Sequence, residues 1–466
     1  MKTLIRHFFA ATAALLVCAA ATTARAQEGC PESTDKAVRA NYALAERFSA
    51  KKVGQMVFST RIVPNWFRDS DRFWYEWKDS RGTKYYMIDP EKGTRTEIFD
   101  MEKLAMQVTG VVRYPFDAQH LKLGRLRLKD DRYFTFNVVS GLKNDRDTTY
   151  FKYDITTGQL DTVAKEEPKY PSWASVSPDG TVGVYAKGSN LWLMDSTSLR
   201  KAAKDEKDST IVEHRLTKDG IRDFGYGYGN YKGDTEADST RRHSPGELVW
   251  SPDSKHFATM KWDTRKLEEL WVINSVGGKR PKLETYKYQM PGEPGPKGYL
   301  YIFNLNEAAD GASAEYVMTE AFKDQELSLL SAKSTAADRY LDYRTDRWLG
   351  DSKGFYLVRQ SRDLKRLDLC RVDIGSDSTR TIISERERTY VEYRTPEFID
   401  GGRKLIHWSE RNGWANLYLY GSDGTLIRNL TEGAFHVEDV LGVNEKEGYA
   451  LVSACGVEKA ENPYRM

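Results

Sequence analysis

The chain has 466 residues, and its 70 Lys and Arg against 68 Asp and Glu leave a formal net charge of +2. The two signs alternate along the chain rather than cluster, which argues against a nucleic-acid partner. A mean hydropathy of −0.64 excludes a multi-span membrane protein, while 27 Tyr, 18 Phe and 11 Trp argue against disorder and for short strands that each bury one face.

The first element is a targeting segment. Lys2 and Arg6 precede an apolar run from Phe8 to Ala21 that is too short to span a bilayer, and Ala24-Arg25-Ala26 supplies a small-x-small cleavage signal before Gln27. Residues 1–26 therefore read as a signal peptide of an exported, periplasmic or extracellular protein. Beyond them lie Cys30, Cys370 and Cys455, an odd number with no Cys-x-x-Cys pair. Cys370 and Cys455 fall on strand-like runs and read as small buried hydrophobes.

Residues 27–55 form a second segment. Within it Ala37, Ala40, Ala43, Leu44 and Phe48 recur at helical spacing and predict a helix over Thr34–Val53. From residue 56 to 466 the pattern changes to short strands punctuated by Asp, Gly, Ser and Pro, and the punctuation repeats. One copy runs Trp173-Ala174-Ser175-Val176-Ser177-Pro178-Asp179-Gly180, Val182–Ala186, Leu191–Asp195. Another runs Trp250-Ser251-Pro252-Asp253-Ser254, Phe257–Lys261, Leu270–Asn274. A third starts at Trp348 and continues through Phe355–Arg359 and Leu367–Asp373. A fourth starts at Phe398, with Leu405–Trp408 and Leu417–Tyr420. Weaker copies begin at Asp71, at Asp131 and near Glu447. Each copy reads strand, Asp/Gly turn, strand, longer turn, strand. A single such sheet cannot bury both faces, whereas sheets stacked round an axis can. The expected fold is all-β: a β-propeller of eight blades, the last incomplete, behind a short N-terminal helix. The charged or Gly/Pro-rich stretches Lys201–Thr210, Asp234–Arg242 and Gly292–Gly298 are expected to be loops.

Motifs for chemistry are sparse. Gly-x-Ser-x-Gly, His-Glu-x-x-His, a P-loop and an EF-hand loop are all missing, so no catalytic residue, metal ligand or cofactor is assigned. His256 and His407 sit on predicted strands as packed or rim residues. Glu166-Glu167 and Glu268-Glu269 read as solvated charge. The segment Gly225-Tyr226-Gly227-Tyr228-Gly229-Asn230-Tyr231 is a poor phosphate loop. It reads either as a mobile aromatic connection between blades or as a substrate-facing loop. In the second case Tyr226, Tyr228 and Tyr231 offer stacking surface and hydroxyls to a peptide.

The stretch Ser409-Glu410-Arg411-Asn412-Gly413-Trp414-Ala415-Asn416-Leu417-Tyr418-Leu419-Tyr420, followed by Leu430-Thr431-Glu432-Gly433, resembles the N-terminal propeller of dipeptidyl peptidase IV and its relatives in the prolyl oligopeptidase clan of serine peptidases. Trp250-Ser251-Pro252-Asp253 and Pro64-Asn65-Trp66 with Phe73-Trp74-Tyr75 fit the same family. Tyr286-Lys287-Tyr288 with Pro291-Gly292-Glu293-Pro294 resembles its long blade insertion. The resemblance spans about residues 60–466. It implies a propeller that gates and binds peptide substrate for an α/β-hydrolase domain carrying the Ser, Asp and His of the triad. That domain would lie beyond Met466, so the chain alone is expected to be inactive. The family's Glu pair for a substrate ammonium has no counterpart in Phe224–Tyr231 or the Asp234–Arg242 insertion, so the resemblance does not extend to aminodipeptidase specificity. The rival reading is a stand-alone periplasmic propeller that binds a peptide or protein partner. In either case the open last blade is expected to promote self-association.

Overall fold

The computed structural model describes residues 40–67, 70–141, 146–166, 168–227, 241–276, 278–305, 313–330, 333–334, 343–344, 348–459 and 462. The signal peptide, Cys30, Tyr228 and Tyr231 lie outside the described residues.

The described part of the N-terminal segment forms two short helices, α1 (Tyr42–Arg47) and α2 (Ala50–Val53). Asn41 caps the first by accepting from Leu44 N. Neither helix buries a residue.

Antiparallel meanders follow in chain order. The first sheet is β1 (Asn65–Trp66), β2 (Phe73–Asp79), β3 (Gly82–Asp89) and β4 (Thr94–Glu97). After helix α3 (Met101–Val112), the second is β5 (Gly124–Lys129), β6 (Tyr133–Ser140), β7 (Asp147–Asp154) and β8 (Leu160–Val163). The third is β9 (Ser175–Val176), β10 (Val182–Lys187), β11 (Asn190–Asp195) and, after helix α4 (Ser196–Lys204), β12 (His214–Arg215). The fourth contains β13 (Phe224–Tyr226), β14 (Leu248–Trp250) and β15 (His256–Asp263), then β18 (Lys297–Asn304) and β19 (Ser313–Val317). Between β15 and β18 a separate hairpin intervenes, β16 (Glu268–Asn274) with β17 (Lys282–Tyr288). The fifth sheet is β20 (Glu326–Leu329) with β23 (Gly354–Gln360), β24 (Arg366–Asp373) and β25 (Arg380–Arg386). Between β20 and β23 lie the paired β21 (Lys333–Ser334) and β22 (Tyr343–Arg344). The sixth is β26 (Glu397–Ile399), β27 (Lys404–Ser409), β28 (Asn416–Gly421) and β29 (Leu426–Asn429), and a two-stranded sheet of β30 (His436–Asn444) and β31 (Tyr449–Cys455) ends the series.

The chain is thus all-β with few helices. Among the described residues six sheets have four or five strands, beside the two-stranded terminal sheet. The strands expected from the Asp/Gly punctuation are present, with one reassignment. Leu270–Asn274 was expected as the third strand of its blade, but β15 pairs with β18 over eight residue pairs, and Leu270–Asn274 belongs to the projecting hairpin. The reason is burial. In the blade, β18 buries Leu300, Ile302 and Phe303, whereas Trp271 and Ile273 in the hairpin are 70% and 71% exposed. A second correction concerns Lys201–Thr210, whose first residues complete α4 instead of forming a loop. Asp195 caps that helix from Ser198 N, and Leu199 and Ala202 are buried against β10 and β11.

The core lies between successive sheets. Phe67, Trp74, Phe134, Phe136 and Phe151 join the first and second sheets, with α3 supplying Met101, Leu104, Ala105 and Val108 from one face. Val184, Leu191, Phe257 and Phe303 join the third and fourth. Met260, Leu300, Phe355 and Cys370 join the fourth and fifth. Tyr356, Leu367, Leu405 and Tyr420 join the fifth and sixth, and Trp408, Leu417 and Val437 carry the stacking on to the terminal sheet. Cys370 and Cys455 are both free and buried.

Candidate functional site

Tyr226 does not face an opening. It is 2% exposed, the last residue of β13, with its ring centroid 5.9 Å from Tyr301 and 6.1 Å from Phe303. The alternating glycines, taken in sequence as a sign of a mobile loop, serve close packing. A Cβ on Gly225 would stand 2.7 Å from Ser189 Cβ. One on Gly227, whose φ is +90°, would stand 2.6 Å from Ala186 Cβ. Opposite Tyr226 in register is Lys261, buried to 2% and donating its Nζ to Asp219 Oδ2 at 2.5 Å and to Asp219 O at 3.0 Å. The same ammonium lies 4.0 Å from the Phe224 ring centroid and 5.4 Å from that of Tyr226. Burial, and then the Asp219 charge, push the Tyr226 hydroxyl up, so it stays protonated. Tyr226 is a packing residue beside a buried lysine whose carboxylate partner, Asp219, is exposed.

Two further polar networks tie the sheets. Glu213 accepts from Tyr185 Oη at 2.5 Å, Lys187 Nζ at 2.8 Å and Arg242 Nε at 2.8 Å. Burial raises its pKa, but these three donors outweigh burial and bring it down to about 2. Arg242 also donates to Glu206 O, and its guanidinium lies over Trp173.

In the fifth sheet Asp368, 2% exposed, accepts from Arg359 Nε at 2.9 Å, Arg386 Nη2 at 2.6 Å and Ser384 Oγ at 3.0 Å. One residue further along β25, Glu385 bonds His407 Nε2 at 2.8 Å and Arg411 Nη2 at 2.5 Å, crossing from the fifth sheet to the sixth. Arg411 belongs to the Ser409–Tyr420 stretch singled out above. Its guanidinium also donates to Tyr420 Oη and lies 4.4 Å from the Tyr418 ring centroid. His407 is therefore packed at an interface between sheets. Each carboxylate in these networks already has two or more donors, so they act as fasteners and have little capacity left for a ligand.

The remaining expectations resolve simply. Glu166 pairs with Lys129 at the surface. Glu268 and Glu269 are exposed at the start of β16.

Space for a ligand occurs at the root of the β16–β17 hairpin, a place expected from the sequence to be a Gly/Pro-rich loop beside a blade insertion. A cavity of about 470 Å³ is walled by Gly295–Gly298 on one side and by Glu320–Gln325 and Leu327 on the other. Arg362 fixes the hairpin root by donating to Glu293 O and Met290 O. Phe322 forms part of the wall, and Lys297 pairs with Glu320 across it. The Pro-Gly run from residue 291 to 298 was visible in sequence. Its pairing with Glu320–Gln325 was not, because that depends on the contact between the fourth and fifth sheets.

The family model described as "Dipeptidyl peptidase IV (DPP IV) N-terminal region" matches residues 129–458. The dipeptidyl peptidase 4 of Arthroderma otae is 22% identical over 319 residues, covering 66% of this chain and 37% of the relative. That of Trichophyton tonsurans is 20% identical over 320 residues, covering 67% and 37%. The crystal structure of Porphyromonas gingivalis dipeptidyl peptidase 4 aligns over 85% of this chain and 50% of its own, with 16% identity and a TM-score of 0.48. The chain thus spans about 37% of the length of the curated relatives it matches. The matched region has a β-propeller fold, and the chain belongs to the dipeptidyl peptidase IV N-terminal region family.

Proposed function

We propose that this chain is the non-catalytic propeller portion of an exported dipeptidyl peptidase IV-like serine peptidase, which gates and binds peptide substrates for a hydrolase domain. The observation that carries this reading is the family match over residues 129–458. The signal-peptide pattern of residues 1–26 supports export, and no helix among the described residues is long and apolar enough to cross a membrane. In this reading the propeller has eight blades. The sheet of β30 and β31 is part of a blade that strands from elsewhere complete, because a full blade usually carries four strands.

The hydrolase domain, joined or separate, supplies the activated nucleophile; the propeller supplies enclosure and peptide contacts. The test is calorimetric titration of the purified chain with proline-containing peptides, run beside a dipeptidyl-proline reporter assay. Saturable binding without turnover supports the proposal. Absence of peptide binding contradicts it. Sequencing of the exported protein should find Gln27 at its N-terminus.

A further inference from the structure

The β16–β17 hairpin leaves the fourth sheet between β15 and β18, and its root is tied down. There Lys287 donates to Leu267 O at 2.8 Å and stands 3.8 Å from Asp223. The seven residue pairs of the hairpin, from Glu268–Tyr288 to Asn274–Lys282, have no third strand among the described residues. A two-stranded hairpin is marginal in water and gains stability from a surface that covers it.

Its apolar side chains show what such a surface would be. Residues directly opposite in register share a face, so Trp271, Ile273 and Leu283 lie together, all exposed. The next pair toward the root on that face is charged, Glu269 with Lys287. Apolar exposure is not confined to this face. Val272 on the opposite face is also exposed, and Val276 in the turn is 82% exposed.

Charge is sorted along the hairpin as well. Glu268 and Glu269 stand at the root. Lys279, Arg280 and Lys282 stand at the tip, exposed, with no hydrogen-bond or ion-pair partner among the described residues. The one carboxylate near them, Glu284, accepts from Asn274 Nδ2 at 2.9 Å. Residues 274–284 therefore keep a net charge of +2.

We infer that this hairpin is a membrane-surface anchor. Trp271, Ile273, Val276 and Leu283 enter the headgroup–acyl boundary of an anionic bilayer, and Lys279, Arg280 and Lys282 meet its phosphates. Trp rings concentrate at headgroup level, and Lys and Arg keep their stems in apolar surroundings while the charge reaches water or phosphate. From Trp271 to Asn274 the strand covers about 10 Å, comparable with the ~5–10 Å to which interfacial elements sink. A second copy of the chain would cover one face and leave Val272 and Val276 in water, whereas lipid surrounds an inserted tip. The inference does not depend on the peptidase reading.

The test is flotation of the full chain with phosphatidylcholine vesicles and with vesicles of equal phosphatidylcholine and phosphatidylglycerol, beside sedimentation velocity of the chain alone. The unaltered chain is expected to bind the anionic vesicles at least about tenfold more tightly than the neutral ones, an excess that salt removes. Combined Lys279→Glu, Arg280→Glu and Lys282→Glu should abolish the excess, and Trp271→Ser with Ile273→Ser should weaken binding to the anionic vesicles. Leu426→Ser with Ile427→Ser, which removes exposed apolar side chains from β29, should leave binding intact. The unaltered chain decides the matter alone if a variant fails to fold: no flotation, or equal flotation with both vesicles, would overturn the proposal. So would flotation unchanged by both hairpin variants, an equal loss in the β29 variant, or hairpin variants that only dissociate a dimer in sedimentation.

Discussion

The backbone N–H of Asp179 donates to Oγ of Ser254, 3.1 Å away in space and 75 residues along the chain. The same bond recurs one sheet further on, where Asp253 N donates to Ser352 Oγ at 3.1 Å. The next contacts in the series keep the place and change the acceptor, with Gly350 N bonded to Gly401 O and Asp400 N bonded to Glu445 Oε2. From the third sheet onward, the Asp/Gly turns that punctuate the sequence thus fasten one sheet to the next along one rim. Ser254 and Ser352 hold left-handed φ values of 62° and 61°, at the turn position that Gly180 fills with φ 74°. The hydroxyl is kept there despite the backbone cost.

Replacing Ser254 or Ser352 by Ala removes the acceptor and leaves the left-handed strain. Each variant should lose about 1 kcal/mol, and the pair should be close to additive because the two contacts share no group. Urea unfolding midpoints measure this. An unchanged midpoint in both variants would show that these turns do not fasten the sheets.

Asp368 should be the most sensitive polar residue in the fifth sheet. Asp368→Ala leaves Arg359 and Arg386 beside an empty acceptor in a buried site, at a cost of about 3–5 kcal/mol. Asp368→Asn, which retains the shape, should cost less. Thermal melts of the two variants beside the parent test the order.

Glu213 sets part of the acid sensitivity. Its folded pKa is depressed to about 2 from the ordinary 4.5, so its contribution is fully present above about pH 4.5. That contribution is lost as the pH falls from there through about 2, because the unfolded state then binds the proton more readily. Glu213→Gln should lower stability at pH 7 and flatten this part of the profile. Chemical denaturation between pH 2 and pH 7 reads it directly.

Much of this fold was legible. Trp-Ser-Pro-Asp at residues 250–253, and its counterpart Val-Ser-Pro-Asp at 176–179, mark turns whose Ser and Asp side chains bond each other at 2.6 Å. The strands that follow, Val182–Lys187 and His256–Asp263, bury four and five consecutive residues and so do not alternate. Helix α3 was also present in the sequence, as Asp100 before Met101, Leu104, Ala105 and Val108, but strand punctuation on both sides masked it. The Tyr226 reading failed for a different reason. Glycines that admit a mobile loop and glycines that admit a neighbouring backbone look alike until Ser189 and Ala186 are seen against them.

Self-association should run through the terminal sheet. Val437, Val440 and Val452 pack toward the sixth sheet, while Leu441, Tyr449 and Leu451 remain 67%, 52% and 59% exposed. An exposed apolar sheet face invites association with another chain. Leu441→Lys combined with Leu451→Lys should shift the sedimentation profile toward monomer. An unchanged profile would remove this sheet as the contact.

The central claim is that this propeller binds peptides and leaves their cleavage to a hydrolase domain. The most direct measurement follows a proline-containing peptide incubated with the purified chain, by calorimetry for binding and by mass spectrometry for cleavage, with and without a serine-directed phosphonate. The account predicts saturable binding, an intact peptide and no effect of the phosphonate. Cleavage that survives repurification and is blocked by the phosphonate would contradict it.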